Sequence, residues 1–160
     1  MNFLPHVHFT ITSPLAAEQA FIKSYSAEIN ISGRNYIISK RESENNILRF
    51  TPERKLSFYH NSFLPTVKMD FHSAETGTTI NLYAKLVSEV GLFLVIFVLL
   101  GFAAEIYLIG SCIKEHYFFT LPYSMPGIIA IVAYVMCYIG LYASTKSFQL
   151  QFEQFIGRKN

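Results

Sequence analysis

Polar and apolar positions alternate along most of the first 88 residues, apart from one helical stretch near the start. The alternation over 3–12 has the period of a half-buried strand. Ser13 and Pro14 then match a helix N-cap followed by a first-turn proline, which predicts a helix over 14–29. Five shorter runs predict further strands, at 36–41, 47–51, 55–63, 66–73 and 78–86.

The apolar positions of neighbouring strands also predict how the strands pair. Three core positions of 66–73 oppose three of 78–86: Val67 opposes Ala84, Met69 opposes Leu82, and Phe71 opposes Ile80. On its other side, the strand at 66–73 is expected to meet 55–63, with Leu56 and Phe58 facing Met69 and Phe71. A slip by one residue would turn these side chains to the opposite face, so the core selects the register. The pattern predicts an α+β fold, with one N-terminal helix on a single antiparallel sheet of about six strands.

Two long apolar segments follow the last predicted strand. The segment Val90–Ile113 contains 24 residues with Glu105 as its only charge, and Tyr123–Ala143 contains 21 with none. A helix needs about 20 apolar residues to cross a bilayer, so both segments predict membrane-spanning helices. The expected organisation has three parts: a cytoplasmic α+β domain at 1–88, a transmembrane helical hairpin at 89–145 with helices at about 89–112 and 123–145, and a C-terminal amphipathic helix at 146–160.

Basic residues near the apolar segments predict the orientation of the hairpin. Lys114 is the only lysine or arginine between the two segments, whereas Lys85 precedes the first segment and Lys146 follows the second. This bias favours a two-pass protein with both termini in the cytoplasm, whose expected partner is the lipid bilayer. The start of the chain lacks the features of a secretory signal. The net charge of +2 is too small to indicate nucleic-acid binding.

The C-terminal segment predicts an amphipathic helix that continues from the second membrane helix. Phe148, Phe152, Phe155 and Ile156 recur at helical spacing among polar residues. This apolar stripe is expected to pack back on the uncovered face of the sheet; lying on lipid head groups is the alternative.

Few residues indicate chemistry. Glu105 is either an interfacial carboxylate that reaches toward water, or one that pairs across the hairpin with Tyr134 or Ser124. His6 and His8 share one face of a strand, but the predicted register places His72 on the polar face and His60 on the apolar face. The sequence therefore predicts no metal site, and it also predicts no catalytic residues and no cofactor.

The order of two short motifs resembles that of a known group of proteins. NSFLP at 61–65 precedes a strand, GTTI at 77–80 follows it, and the apolar hairpin comes next. This order is similar to that of a family of small, uncharacterised bacterial two-helix membrane proteins with an NSF-x-P strand junction. The resemblance covers 3–156, and it implies this architecture and the bacterial inner membrane without implying an activity.

Two functions follow as hypotheses. The first is a non-enzymatic, membrane-anchored interaction or accessory module that contacts a protein partner through its cytoplasmic β-rich domain. The alternative is a module that binds a lipid or another small hydrophobic ligand between sheet and helices. The residues predicted to line that site are aromatic: Phe21, Tyr25, Phe58, Phe71, Phe152 and Phe155.

Overall fold

The computed structural model contains six strands and three α-helices in the part of the chain that it describes, residues 4–31, 34–42, 46–53, 64–114 and 125–157. A 3-10 turn at Ser24–Ser26 follows the first helix. The elements in chain order are β1 (His6–Ser13), α1 (Ala17–Lys23), β2 (Ile29–Ile31), β3 (Arg34–Glu42), β4 (Ile47–Pro52), β5 (Pro65–Ala74), β6 (Gly77–Leu86), α2 (Ser88–Lys114) and α3 (Met125–Gly157).

The strands form one antiparallel sheet in the order β1-β6-β5-β4-β3-β2. The first strand therefore lies beside the last, and every neighbouring pair runs antiparallel. The sheet curls around α1 and the C-terminal half of α3, which cover its inner face. The α+β class and the single antiparallel sheet predicted from the sequence are confirmed.

The register between β5 and β6 is the predicted one. Val67 pairs with Ala84, Met69 with Leu82, and Phe71 with Ile80. On the other side of β5, the sequence predicted that 55–63 would lie opposite Met69. This prediction is wrong, because β4 lies there and Leu48 is the residue opposite Met69. The apolar alternation in 47–51 resembles that in 55–63, so periodicity alone does not decide between them. Phe58 and the rest of 55–63 lie outside the described residues.

The first helix is shorter than predicted. It covers Ala17–Lys23, and Ile29 already belongs to β2. Ser13 ends β1, and its hydroxyl accepts a hydrogen bond from the Leu15 amide at 3.2 Å, so it closes a turn before the helix begins. The Thr78 hydroxyl holds the same turn by donating to the Leu15 carbonyl at 2.6 Å.

Gly77 lets β6 start beside this turn. Its φ is +119°, and a Cβ at this position would collide with the Ser13 carbonyl oxygen. The conformation is one that side-chain-bearing residues rarely adopt, so glycine is required both for its backbone angle and for the close approach.

The two long helices follow the sheet almost without a linker. Only Val87 separates β6 from α2, and α3 runs without interruption for 33 residues, about 50 Å at the usual rise. Both helices are long and apolar enough to cross a membrane, judged by length and composition. The second apolar segment and the C-terminal amphipathic segment thus belong to one continuous helix.

Candidate functional site

Four aromatic side chains lie in contact between the sheet and α3. Phe148 is fully buried, and its ring centroid lies 5.2 Å from that of Tyr36 and 5.6 Å from that of Phe50, both in edge-on contacts. Phe152, one turn further along α3, lies 6.2 Å from Phe148. Edge-on and offset contacts at these distances are the favoured arrangements of aromatic pairs. The four rings form a cluster that we call the α3 cluster.

Helix α3 crosses the inner face from one edge of the sheet to the other. On the β1 side, the ring of Tyr142 lies 5.5 Å from that of Phe9. On the β2 side, Gln151 exchanges two hydrogen bonds with the backbone of Asn30: its Nε2 donates to the carbonyl at 2.7 Å, and its Oε1 accepts from the amide at 3.1 Å. These contacts at both edges fix α3 over the α3 cluster.

A second, smaller aromatic group joins α1, the 3-10 turn that follows it, and β5. Phe21 lies 5.2 Å from Tyr25 and 5.5 Å from Phe71 between ring centroids. The end of α1 also reaches the end of α3, because the Lys23 Nζ donates to the Ile156 carbonyl at 3.3 Å and lies 5.9 Å from the centre of the Phe155 ring. The two helices therefore close the inner face together.

The structure brings five of the six predicted lining residues into one core. Phe21, Phe71 and Phe152 are buried in that core, and Tyr25 and Phe155 are partly buried against it. The sixth, Phe58, lies outside the described residues. Sequence reasoning left Tyr36, Phe50 and Phe148 out of the lining. Sequence signals for them were available, since Tyr36 begins the predicted strand at 36–41, Phe50 lies in the one at 47–51, and Phe148 starts the predicted apolar stripe.

The Tyr36 hydroxyl and the Arg34 Nε have no hydrogen-bond partner among the described residues. The hydroxyl of Tyr36 is buried, with the whole residue only 4% exposed, and the Nε of the half-buried Arg34 is also shielded from solvent. Burial raises the pKa of Tyr36, so the hydroxyl keeps its proton and can donate. Buried polar groups are nearly always hydrogen-bonded to protein or to ordered water, so each of these two groups needs an explanation.

The polar face of the sheet carries the histidines within the described residues. His6, His8 and His72 are exposed, and His8 stacks on Tyr83 at 4.6 Å between ring centroids. His60 lies outside the described residues. Within the described ranges, no group of three or more histidine, cysteine, aspartate or glutamate residues is placed to hold a metal ion.

Small residues set the contact between α2 and α3. A Cβ at Gly101 would lie 2.8 Å from the Ala130 Cβ and 3.0 Å from the Pro126 carbonyl oxygen, so the helix backbones approach closely there. One turn along α2, the carboxylate of Glu105 packs against Gly127 of α3. Glu105 therefore points across the hairpin. Of its two suggested partners, Ser124 lies outside the described residues.

Replacing Gly101 with leucine is expected to separate the helices and to lower the free energy of unfolding by about 1–3 kcal/mol, the usual cost of overpacking. Gly110 is the matched control, because a Cβ there would meet nothing within 4 Å. Thermal unfolding followed by circular dichroism in the same detergent compares Gly101→Leu with Gly110→Leu. Equal melting temperatures for the two variants would contradict the packing described here.

No model of a known protein family matches the chain, and no curated protein matches it. Among solved structures, the crystal structure of the protein SSP2350 from Staphylococcus saprophyticus is similar, with 10% identity, a TM-score of 0.34, and coverage of 72% of this chain and 96% of that one. The solution structure of the Polyketide_cyc-like protein Cgl2372 from Corynebacterium glutamicum is also similar, with 8% identity, a TM-score of 0.35, and coverage of 99% and 100%. The α+β description of this chain follows from its own strand register and helix packing.

Proposed function

We propose that this chain is a membrane-anchored module that binds a lipid or another small hydrophobic ligand between its sheet and its helices α1 and α3. The observation that carries the proposal is the buried Tyr36 hydroxyl, which has no partner among the described residues and lies in an aromatic interior. A hydroxyl buried without a hydrogen bond costs about 1–3 kcal/mol. A ligand with one polar group and an apolar body would offset that cost.

The alternative, a module that only contacts a protein partner, does not account for this hydroxyl. An interior that serves packing alone is most stable with apolar residues at buried positions, and phenylalanine would fill the place of Tyr36 without an unpaired group. Ligand pockets, in contrast, combine mostly apolar and aromatic linings with a few placed polar groups. The arrangement of Tyr36 beside Phe148 fits that second description.

The anchor in this proposal is the hairpin of α2 and α3. All but three of the exposed large hydrophobic residues in the described part of the chain lie on these two helices. A soluble monomer rarely exposes an apolar surface of this extent, whereas a bilayer covers it. The hairpin would span the bacterial inner membrane, and the distribution of lysines supports cytoplasmic termini.

The anchor and the binding region share one core. Leu94 of α2 and Cys137 and Leu141 of α3 belong to the same buried cluster as the inner face of the sheet. The interior therefore begins at the base of the hairpin. This continuity suits a ligand that enters from the lipid phase.

Photo-crosslinking with palmitic acid that carries a diazirine tests the proposal on the full chain in nanodiscs. We expect labelled peptides from β3 and from the part of α3 at 147–157, in addition to the apolar hairpin, and we expect an excess of unlabelled palmitic acid to suppress the labelling of β3 and 147–157. Labelling confined to the hairpin at 92–142 would contradict ligand binding in the interior.

Replacing Tyr36 with phenylalanine should separate the effect of its hydroxyl on stability from its effect on ligand binding. In the delipidated chain, removal of the unpaired hydroxyl is expected to raise the free energy of unfolding by about 1 kcal/mol, while interior crosslinking falls. Tyr83→Phe serves as the control, because Tyr83 lies exposed on the opposite face of the sheet. A Tyr36→Phe variant that is destabilised and still labelled as strongly as the unaltered chain would show that the hydroxyl serves packing.

A further inference from the structure

Arg34 lies on the inner face of the sheet, where a cation is unexpected. In the antiparallel pair of β2 and β3, Ile31 is opposite Arg34 and Ile29 is opposite Tyr36. Residues directly opposite each other in such a pair project to the same face, and both isoleucines are buried. Arg34 and Tyr36 therefore extend toward the same interior, two residues apart on one strand.

Neither polar group of this pair is matched within the described chain. The Nε of Arg34 is buried and has no hydrogen-bond partner among the described residues. Among the carboxylates of the described residues, Glu28 is exposed and Glu153 of α3 accepts a hydrogen bond from Gln149 at 2.6 Å. Glu53 is half-buried, and its amide donates to the Asn35 carbonyl at 2.8 Å. A cation and a proton donor thus face the interior, and neither the Arg34 Nε nor the Tyr36 hydroxyl has a hydrogen-bond partner in the described part of the chain.

The position of the pair explains how a ligand would lie. Arg34 is the first residue of β3 and only half-buried, so it stands at the rim of the sheet, while Tyr36 lies one step further in, in contact with Phe148 of the α3 cluster. A polar group held at the rim would direct an attached apolar chain along these aromatic rings.

We infer that the ligand is an amphiphile with a carboxylate head group, which Arg34 and Tyr36 bind at the rim of the sheet. This inference rests on the proposed function and assigns the chemical class of its ligand. The guanidinium group presents N–H donors that match the two oxygens of a carboxylate, and the Tyr36 hydroxyl supplies a further donor. The head group would satisfy the buried Nε and the hydroxyl together.

A pair of probes with the same apolar chain tests this inference. Diazirine-bearing palmitic acid and the matching fatty alcohol are compared on the full chain in nanodiscs, and crosslinking to β3 and to 147–157 is measured by mass spectrometry. In the unaltered chain the acid should label these interior peptides about tenfold more than the alcohol, as one charge-assisted contact implies. In Arg34→Gln the acid should lose this advantage, while labelling by the alcohol is unchanged.

Arg49→Gln is the matched control for the loss of a positive charge. Arg49 lies between Leu48 and Phe50 on β4, so its side chain projects to the outer face of the sheet, and this variant should keep the preference for the acid. Arg34→Lys, which keeps the charge without the planar group, should recover part of that preference.

The outcomes distinguish this inference from the function on which it rests. Equal interior labelling by acid and alcohol in the unaltered chain would overturn the assignment to Arg34 and leave ligand binding in place. Interior labelling by neither probe would overturn both. Loss of labelling by both probes in Arg34→Gln, accompanied by a lower melting temperature, would mean that Arg34 serves the fold, and the inference would fail.

Discussion

Replacing Phe148 with alanine is expected to lower the free energy of unfolding by about 3–5 kcal/mol, the usual cost of removing a buried aromatic ring. Phe148 is fully buried and touches Tyr36, Phe50 and Phe152, so the change would leave a cavity at the centre of the α3 cluster. Helix α3 would also lose the ring contacts that Phe148 makes with Tyr36 of β3 and Phe50 of β4.

Denaturant unfolding in nanodiscs measures this effect. The chain contains no tryptophan, so far-ultraviolet circular dichroism is a better signal than intrinsic fluorescence. The control is Leu150→Ala, because Leu150 is exposed on the opposite side of the same helix turn, and this variant should change stability by less than about 0.5 kcal/mol. If both variants lose the same stability, α3 does not pack on the sheet through Phe148.

The second large effect is expected when arginine replaces both Leu99 and Val132. Leu99 of α2 is 63% exposed and Val132 of α3 is 54% exposed, and both lie in the apolar parts of the hairpin. An arginine at the centre of a membrane helix costs about 2.5–3.5 kcal/mol on insertion scales, so the double variant should largely leave the membrane fraction.

Cell fractionation with immunoblotting compares this double variant with Ile37→Arg. Ile37 is 50% exposed but lies on the outer face of β3, so arginine there should leave the membrane fraction unchanged. Full retention of the Leu99→Arg and Val132→Arg double variant in the membrane would speak against a hairpin surrounded by lipid. Loss of the Ile37→Arg variant from the membrane would mean that fractionation reports folding and not insertion.

The sheet could be predicted from the sequence because its strands alternate with a strict period of two. The pairs Met69 with Leu82 and Phe71 with Ile80 follow from that alternation, since any slip would expose the core side chains. The neighbour on the other edge of β5 could not be predicted in the same way. Leu48 and Leu56 both belong to alternating runs, and only the three-dimensional position of β4 places Leu48 opposite Met69.

The limits of α1 depend on tertiary contacts that sequence patterns do not contain. Ser13 and Pro14 have the residue types of a helix start, but the hydrogen bond from Thr78 to the Leu15 carbonyl holds this segment as a turn. The partner in that bond is distant along the chain, so local helix signals place the start of the helix too early.

The candidate site was predictable only in its apolar part. Aromatic residues at helical spacing indicated Phe152 and Phe155, whereas Arg34 was missed because it lies between the predicted helix at 14–29 and the predicted strand at 36–41. The pairing of Arg34 with Ile31 shows that it faces inward, and this pairing requires the short strand β2. The helix predicted over 14–29 included Ile29, which is the first residue of that strand.

Alkaline carbonate extraction of membranes from cells that make the unaltered chain tests the place of the hairpin in the bilayer most directly. A chain with two membrane-spanning helices stays in the pellet after extraction and dissolves only when detergent is added. Release into the supernatant without detergent would contradict the transmembrane hairpin, and with it the proposal of a binding module anchored in the membrane.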